Sequence, residues 1–421
     1  MTRGDALVTG KGISRTSPPE RPVGRRALIG FAVLAVLYLV SATWTTPYNV
    51  DSYTNAVQAR AIADDGSPII EEYSHLLDAK YTGQVVWIVE AQDGPTSQYP
   101  PGVALWGAGF YLLDTSTQEV NALWTNDGVP EVVVLDVPSL APAALAAVTA
   151  TLLAMVFFAR TLRPMLPDEV VMMAVALLAL GTGAWSVAAD QLWQHSPGMM
   201  FISMGVYAAS RDRFALSGLA FAGAALVRPH TLLIAAAVGL FVAIRRRDLR
   251  PALRLGSASA IGLVAVVLYN RWVWDSWSVS GGYGDVFAER ARGTSPLTLL
   301  SRFVEMLFDL DHGLLVSSSF IVVALIAVVT GGWRGAPDWA IGAAVGAVVY
   351  LVVQLQANRV SGGNQIFGYR YPLEALMAAA PLLALATHNF LRQRPRWVWV
   401  FAALAMVSVI AHGYGAIFVS A

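Results

Sequence analysis

The stretch ALIGFAVLAVLYLVSATW, residues 27–44, decides the fold. It contains no charged residue, and the polar stretch TTPYNVDS, residues 45–52, follows it at once. A membrane-spanning helix needs about 20 predominantly apolar residues, and this run is close to that length. It is longer than the apolar core of most secretory signals, and no small-residue cleavage site precedes the polar stretch. We therefore predict a retained first membrane span.

Similar apolar runs recur as far as the C-terminus, each ended by arginines or by Pro and Gly. The chain is 56% hydrophobic and 13% charged, whereas a soluble domain is about 25% charged. The pattern predicts an all-α polytopic membrane protein with about eleven spanning helices. We place them at 27–46, 138–159, 169–188, 196–210, 214–228, 231–245, 253–270, 313–331, 338–355, 372–390 and 397–416.

Basic and acidic residues fall mainly on opposite sides of the membrane when the N-terminus is assigned to the cytoplasm. Nineteen Lys and Arg residues then fall inside and nine outside, whereas seven acids fall inside and 21 outside. Positive charge accumulates on the cytoplasmic side of membrane proteins, so the bias predicts an N-in, C-out topology in the cell membrane. Residues 1–26 are polar and rich in Pro, Ser and Arg, which indicates a disordered cytoplasmic tail before a single transmembrane module at 27–421.

The topology leaves three substantial segments on the non-cytoplasmic side, at 47–137, 270–312 and 356–371. The first and largest contains two interfacial helices by our interpretation, whereas the cytoplasmic connections are short and basic. Any chemistry is therefore expected outside. Three consecutive spans, 196–210, 214–228 and 231–245, are short for a bilayer. Either the charged residues at their ends make these spans look shorter than they are, or the three spans border a cavity that opens to lipid in the outer leaflet.

Asp51 follows the first span and precedes a short amphipathic helix, with Tyr53, Val57 and Ala61 on one face, predicted to lie on the membrane surface. An aspartate at this position is a helix cap or, held ionised there, a general base at the bilayer surface. Further along, Tyr99-Pro100-Pro101-Gly102 opens a run that is too short to span and indicates an interfacial or re-entrant helix.

Five further polar features lie at the predicted outer face. A turn between two spans carries Asp190, Gln194 and His195, which is either an interfacial turn or part of a binding site. Arginine is unexpected outside, so Arg228, in a tight turn with His230, is expected to meet an anion. Arg271 opens the second outer segment, and Lys80 is either a phosphate contact or a solvated side chain. The glycine-rich stretch before Tyr369 and Arg370 suits an anion site, since backbone N–H groups and a guanidinium both bind phosphate.

Several classes of function lack their sequence signatures. Cysteine is absent, and we find no Walker A, dinucleotide-binding, zinc-protease, serine-hydrolase or EF-hand motif. The outer histidines are dispersed, and no metal site is predicted. No cofactor and no nucleic-acid partner is predicted either.

These motifs, in this order, resemble the GT-C superfamily of membrane glycosyltransferases over about residues 27–390. That group includes the protein O-mannosyltransferases, the aminoarabinose transferases of lipid A, and mannosyl- and arabinosyltransferases of actinobacterial envelopes. The resemblance rests on Asp51, on Tyr99–Gly102, Leu192–His195, Val227–Pro229 and His312–Leu314, and on the segment from Gly362 to Tyr371. Asp51 is followed by Ser52 where several members have an Asp-Glu pair, which leaves metal dependence and subgroup open.

The resemblance implies an inverting hexosyl- or pentosyltransferase that uses a polyprenyl-phosphate-linked sugar, on the extracytoplasmic side, in cell-envelope glycan or glycoconjugate synthesis. Asp51 matches the position of the catalytic base. A glycan, a lipid or a protein would be the acceptor. The donor phosphate would then contact Arg370 and Arg228, with Arg271 and Lys80 behind them, and substrate would contact His195, His230, Asp190, Gln194, Tyr99 and Tyr369.

Two other classes fit the same composition. A lipid or sugar transporter or flippase should place ionisable residues in mid-span and repeat its halves, and the predicted span centres are nearly free of charge. Another lipid-linked transferase, such as a polymer ligase, needs the outer arginines but no acid directly after the first span.

Overall fold

The computed structural model describes residues 24–45, 50–71, 88–114, 116–126, 129–358 and 367–419. The predicted tail, Lys80 and most of the glycine-rich stretch before Arg370 lie outside the described residues. The helices are α1 Arg25–Ser41, α2 Val50–Asp65, α3 Gly102–Tyr111, α4 Ala141–Leu162, α5 Asp168–Leu180, α6 His195–Ser210, α7 Phe214–Val227, α8 Leu232–Arg246, α9 Arg250–Trp274, α10 Val286–Arg292, α11 Pro296–Phe308, α12 Leu314–Ser317, α13 Phe320–Val329, α14 Asp338–Ala357, α15 Leu373–Gln393 and α16 Trp397–Tyr414.

Six helices of the described chain are long and apolar enough to cross a membrane, and α7 and α13 are shorter apolar helices. The six are Ala141–Leu162, Pro229–Arg246, Arg250–Trp274, Asp338–Ala357, Leu373–Gln393 and Trp397–Val419. With so many apolar helices, the chain is a multi-pass, predominantly α-helical membrane protein. The count of eleven spans and the orientation remain predictions.

The structure divides two of the predicted single spans. The span predicted over 169–188 becomes α5 followed by a π-helical turn, Ala184–Ala188. Thr182 causes the break, because its hydroxyl donates to the Leu178 carbonyl and accepts from the Ala184 N–H. The span predicted over 313–331 becomes α12 and α13, separated at Ser318 and Ser319. Thr182 thus competes for nearby backbone groups with the helix hydrogen bonds, whereas Ser318 bonds to the His412 ring and Ser319 to the Leu404 carbonyl of α16.

Small residues let the helices approach closely. A Cβ built on Gly218 of α7 would lie 2.3 Å from the Leu255 carbonyl oxygen, and one on Gly262 of α9 would lie 2.3 Å from the Ala222 carbonyl oxygen. Glycine is therefore required where α7 and α9 cross. Gly346 makes the corresponding contact between α14 and α8, where a Cβ would lie 2.7 Å from the Ile234 Cα. Close packing at small residues is how helices associate in lipid, where apolar burial alone supplies little driving force.

The described part of the predicted first outer segment contains two helices and two antiparallel hairpins. The strands β1 Ile88–Ala91 and β2 Gly94–Ser97 form the first hairpin, and β3 Thr117–Asn126 and β4 Val129–Pro138 form the second. The short helix predicted after Pro101 is α3. The strands were not predicted, so the segment is less purely helical than the sequence indicated.

The prediction that α2 is amphipathic, with one buried and one exposed face, is wrong for its middle turns, and its place at the membrane surface stays a prediction. Tyr53 and Val57 are buried as predicted, but Asn55 and Gln58 on the other faces are buried too. The Asn55 amide donates to the Leu192 carbonyl at 2.9 Å, and the Gln58 amide donates to Thr96 and to the Tyr269 hydroxyl. Partners from three other parts of the chain therefore enclose α2, which the sequence pattern of one helix does not reveal.

Candidate active site

Three residues from separate parts of the chain meet at the start of α2. Asp51, in the first described turn, accepts a hydrogen bond of 2.6 Å from the Tyr99 hydroxyl at its Oδ1 atom. Its Oδ2 atom lies 2.9 Å from a terminal nitrogen of Arg370. Both side chains of this ion pair are only 9% exposed. The carboxylate is therefore buried and, among the described residues, lies between the Tyr99 hydroxyl and the Arg370 guanidinium.

Local backbone geometry brings Tyr99 and Arg370 to Asp51. Tyr99 precedes Gly102, where a Cβ would lie 2.5 Å from the backbone carbonyl carbon of Leu226, so α3 begins against the end of α7. Arg370 follows Gly368, whose φ of +77° lies in the left-handed region that favours glycine. The chain then enters α15, with the Arg370 carbonyl accepting from the Leu373 N–H. Both residues thus lie at the starts of helices that pack near α2.

Aromatic rings surround the Arg370 guanidinium, whose carbon lies 4.4 Å from the Trp193 ring centre and 5.3 Å from that of Tyr371. Burial opposes the charged form, but the Asp51 carboxylate together with Tyr371 and Tyr99 outweighs it and raises the pKa of Arg370. Burial raises the pKa of Tyr99 as well, and the charge of Asp51 raises it further, so the hydroxyl remains a donor. The geometry thus keeps one negative and one positive group in a largely apolar, aromatic enclosure.

A second buried cluster lies beside the first and centres on Glu374, in the first turn of α15. The His195 Nδ1 atom lies 3.0 Å and 3.1 Å from the two carboxylate oxygens of Glu374. The Arg228 Nε atom lies 3.5 Å from Oε1 of the same carboxylate. The terminal nitrogens of Arg228 donate to the Tyr350 hydroxyl and to the Gln194 carbonyl oxygen, both at 3.4 Å.

Tyr371 joins the two clusters. Its ring centre lies 5.3 Å from the Arg370 guanidinium, 5.9 Å from that of Arg228, and 6.3 Å from the His195 ring. Two acids, two arginines and one histidine therefore share a single buried region. With a neutral histidine, the formal charges of these five groups sum to zero.

Several buried nitrogen atoms in this region have no hydrogen-bond partner among the described residues. They are Trp193 Nε1, Gln194 Nε2, His195 Nε2, His230 Nε2 and Arg370 Nε. Unpaired buried polar atoms are costly, and they are retained where a ligand supplies the missing partner. Most of these atoms are donors, which favours an anion or a group rich in oxygen as that ligand.

The structure brings most of the predicted site residues together. Asp51, Tyr99, Arg370, Arg228, His195 and Gln194 are in the two clusters, His230 stacks on Tyr350 at 4.7 Å, and Tyr369 contacts Tyr371. The carboxylate of Asp190 instead accepts from the backbone N–H and hydroxyl of Thr43, at 3.0 Å and 2.8 Å. Burial raises the pKa of Asp190 to about 7, and the two Thr43 bonds act in the opposite direction. These contacts indicate a structural role for Asp190.

Arg271 is separate from the clusters among the described contacts. It pairs with Asp275 one turn along and lies 5.7 Å from the Trp277 ring, at the exposed end of α9. An exposed ion pair of this kind contributes little. Lys80, the remaining predicted phosphate contact, lies outside the described residues.

Sequence reasoning missed four members of the site: Glu374, Trp193, Tyr371 and Tyr350. One signal was present for Glu374, since an acid in the first turn of an apolar span, directly after Arg370-Tyr371-Pro372, is costly to bury without a partner. Trp193 and Tyr371 looked like ordinary interfacial aromatics. Their contact with Arg370 depends on a long-range approach that neighbouring residues do not encode.

One group of metal-ligating side chains occurs in the described part of the chain, formed by Asp309, Asp311 and His312. The two aspartates are exposed, and Asp309 already accepts the backbone N–H groups of Asp311 and His312 in a turn. This arrangement satisfies the turn itself and gives no indication of an ion.

The site thus belongs to a multi-pass membrane protein with a buried acid and arginines where helices begin. No protein-family model matches the chain, and no curated protein matches it. The solved structures that match include the crystal structure of ArnT from Cupriavidus metallidurans in the apo state, with 15% sequence identity and a TM-score of 0.48. The match covers 90% of this chain and 62% of that chain, so this chain corresponds to less than two thirds of that protein. ArnT is an aminoarabinose transferase of the GT-C superfamily, one of the groups that the sequence resembles. At this identity and TM-score, the likeness carries no conclusion about activity or site residues.

Proposed function

We propose that the chain is an inverting glycosyltransferase that moves a sugar from a polyprenyl-phosphate donor to an acceptor hydroxyl on the extracytoplasmic side of the membrane. The observation that carries the proposal is the buried Asp51 carboxylate, 2.9 Å from Arg370, beside a second arginine and several unpaired donors. This combination supplies a base and an anion site in one enclosure. Its products would enter cell-envelope glycans or glycoconjugates.

Asp51 acts as the general base in this proposal. The acceptor oxygen forms a bond to the anomeric carbon while the bond from that carbon to the phosphate oxygen breaks. The hydroxyl proton passes to Asp51, and the polyprenyl phosphate leaves with the bonding electrons. The Tyr99 hydroxyl, 2.6 Å from Oδ1, orients the carboxylate so that Oδ2 faces Arg370.

Arg370 links the base to the leaving group. In the structure its guanidinium pairs with Asp51, and its Nε atom has no partner among the described residues. A donor phosphate in the same enclosure competes with Asp51 for this cation and, once bound, leaves the carboxylate free to accept a proton. Arginine suits phosphate because its planar donors engage two oxygens at once, and charge that develops on the leaving group is stabilised most in a dry site. Arg228 is the second cation of the site.

The extracytoplasmic position is supported by the charge distribution, in which the cluster lies on the side that is poor in Lys and Arg. A donor that is already activated and carried by the bilayer needs no nucleotide site, which agrees with the absence of nucleotide-binding motifs. A polymer ligase would use the same arginines without a base at Asp51. The presence of Asp51 therefore favours a glycosyltransferase with a general base over a polymer ligase.

The test is Asp51→Asn, assayed in membranes with a panel of polyprenyl-phosphate sugars. The amide keeps the shape and the Tyr99 contact but cannot take the proton, so we expect transfer to fall by at least a hundredfold. The matched control is Asp65→Asn, an exposed acid at the other end of α2, which should transfer normally. Normal transfer by a well-folded Asp51→Asn would show that Asp51 is not the general base. Sugar flux without a lipid-linked donor in proteoliposomes would favour a transporter instead.

A further inference from the structure

We propose that Glu374 is a positioning residue that holds the proton of His195 on Nδ1, so that Nε2 is a buried hydrogen-bond acceptor for a hydroxyl of the donor sugar. This inference rests on the proposed function and adds a pair of residues that the transfer step itself does not use. It concerns which atoms of the site recognise sugar oxygens, as distinct from phosphate.

The first step is the identity of the proton carrier. His195 is fully buried, and its Nδ1 lies 3.0 Å and 3.1 Å from the two oxygens of Glu374. An ionised carboxylate only accepts hydrogen bonds, so the proton between the two groups belongs to Nδ1. A histidine whose one nitrogen is held by a carboxylate is fixed in tautomer and ring orientation.

The second step is the charge of Glu374. The Arg228 Nε atom lies 3.5 Å from Oε1, and the residue occupies the first turn of α15, where the helix dipole favours negative charge. Both effects keep the carboxylate ionised. Because Arg228 already balances that charge, His195 has no need of a second proton.

The third step is the free nitrogen. The Nε2 atom of His195 is buried and has no hydrogen-bond partner in the described part of the chain. In the neutral ring it carries a lone pair, so it is an acceptor in a region where the other unpaired nitrogens of Trp193, Gln194 and Arg370 are donors. An ionised phosphate offers only hydrogen-bond acceptors, and therefore fits the unpaired donors. A sugar hydroxyl donates and fits Nε2.

The position agrees with this role. The His195 ring lies 6.4 Å from the Trp193 ring and 6.3 Å from the Tyr371 ring, the same two rings that contact Arg370. A sugar attached to a phosphate at Arg370 therefore meets the same two rings that flank His195. Apolar ring faces on both sides suit the flat faces of a sugar.

The direct test is histidine-selective 15N NMR of the purified protein, which has six histidines. The His195 signals are assigned by their loss in His195→Gln. We expect a neutral ring with the proton on Nδ1, a signal that a polyprenyl-phosphate sugar of the panel perturbs and farnesyl phosphate alone does not, and loss of the single tautomer in Glu374→Leu, which removes the acceptor. The exposed acid Glu289, changed to Leu, is the matched control and should leave the signals unchanged. A protonated Nε2, or an unchanged tautomer in folded Glu374→Leu, would overturn the inference.

A second comparison uses activity. A glutamine amide reaches the place of Nε2, whereas an asparagine amide reaches only that of Nδ1, so His195→Gln should retain at least tenfold more transfer than His195→Asn. Equal transfer by the two variants would count against the acceptor role. The outcomes stay separable from the proposed function. Loss of transfer in Asp51→Asn together with a protonated Nε2 would support the proposed transferase and overturn the role of Nε2. Normal transfer by Asp51→Asn together with an unprotonated Nε2 would overturn Asp51 as the base and support the tautomer.

Discussion

The two buried acid–arginine pairs of the site differ in how their carboxylates are held. Among the described residues, Asp51 contacts the Tyr99 hydroxyl and the Arg370 guanidinium, and both side chains of its ion pair remain 9% exposed. Glu374 is fully enclosed and has both oxygens against His195, with Arg228 on one of them. A base must release a partner when substrate arrives, whereas a positioning carboxylate must not. The surroundings of Asp51 suit the first role and those of Glu374 suit the second.

Arg370→Ala should have the largest effect on this comparison. It removes the proposed phosphate contact and leaves Asp51 buried without its cation, which typically costs about 3–5 kcal/mol of stability. We expect transfer to fall by about a thousandfold or more, and the thermal unfolding midpoint to fall with it. Adding Asp51→Asn to Arg370→Ala should restore stability but not transfer. If the double variant is no more stable than the single one, the two residues do not form a coupled pair.

Tyr99→Phe should have a moderate effect. It removes the 2.6 Å hydrogen bond to Oδ1 of Asp51 while keeping the ring against Tyr283. We expect about a tenfold loss of transfer and about 1 kcal/mol of stability, the usual contribution of one hydrogen bond. Steady-state transfer and thermal unfolding measure the two quantities. A loss as large as that of Asp51→Asn would instead assign Tyr99 a direct part in the reaction.

Asp190→Asn should change the pH dependence of stability and leave transfer intact. The pKa of Asp190 is raised from 3.8 to about 7, so the folded protein holds a proton that the unfolded chain releases. Stability is therefore greatest below this window and decreases as pH rises through it. The difference between 3.8 and about 7 corresponds to about 4 kcal/mol.

The asparagine oxygen still accepts from Thr43 but never ionises. Thermal unfolding should therefore show the variant gaining stability over the unchanged protein between about pH 5 and about pH 8. A variant that is less stable at both pH values would mean that the charged carboxylate is required there. Loss of transfer at full stability would return Asp190 to the substrate site.

Arg271→Ala should have the smallest effect. Its partner Asp275 is one turn away at the exposed end of α9, and surface pairs of this kind contribute about 0–1 kcal/mol. We expect the rate of transfer to stay within about twofold of that of the unchanged protein, and the free energy of unfolding to stay within about 1 kcal/mol. A large rise in the donor concentration needed for half-maximal transfer would mean that Arg271 approaches the phosphate when donor binds.

Composition and charge were enough to predict the membrane fold, because length, apolarity and arginine position are local properties of each span. Asp51, Tyr99 and Arg370 were also accessible, since each is a polar residue at the end of an apolar run. Glu374 was not singled out, because its importance comes from His195 and Arg228, which lie far away in sequence. The breaks at Thr182 and at Ser318-Ser319 were missed for a different reason: hydropathy does not register the hydrogen bonds of hydroxyl side chains, which Thr182 makes to nearby backbone and the two serines make to α16.

The central claim is that Asp51 and the donor phosphate compete for Arg370. It is tested most directly by measuring the binding of farnesyl phosphate to purified Asp51→Asn and to the unchanged protein. Since the variant frees Arg370, we predict that it binds farnesyl phosphate about tenfold more tightly, a gain of about 1.4 kcal/mol, while it fails to transfer sugar. Weaker or equal binding by a folded Asp51→Asn would contradict the account.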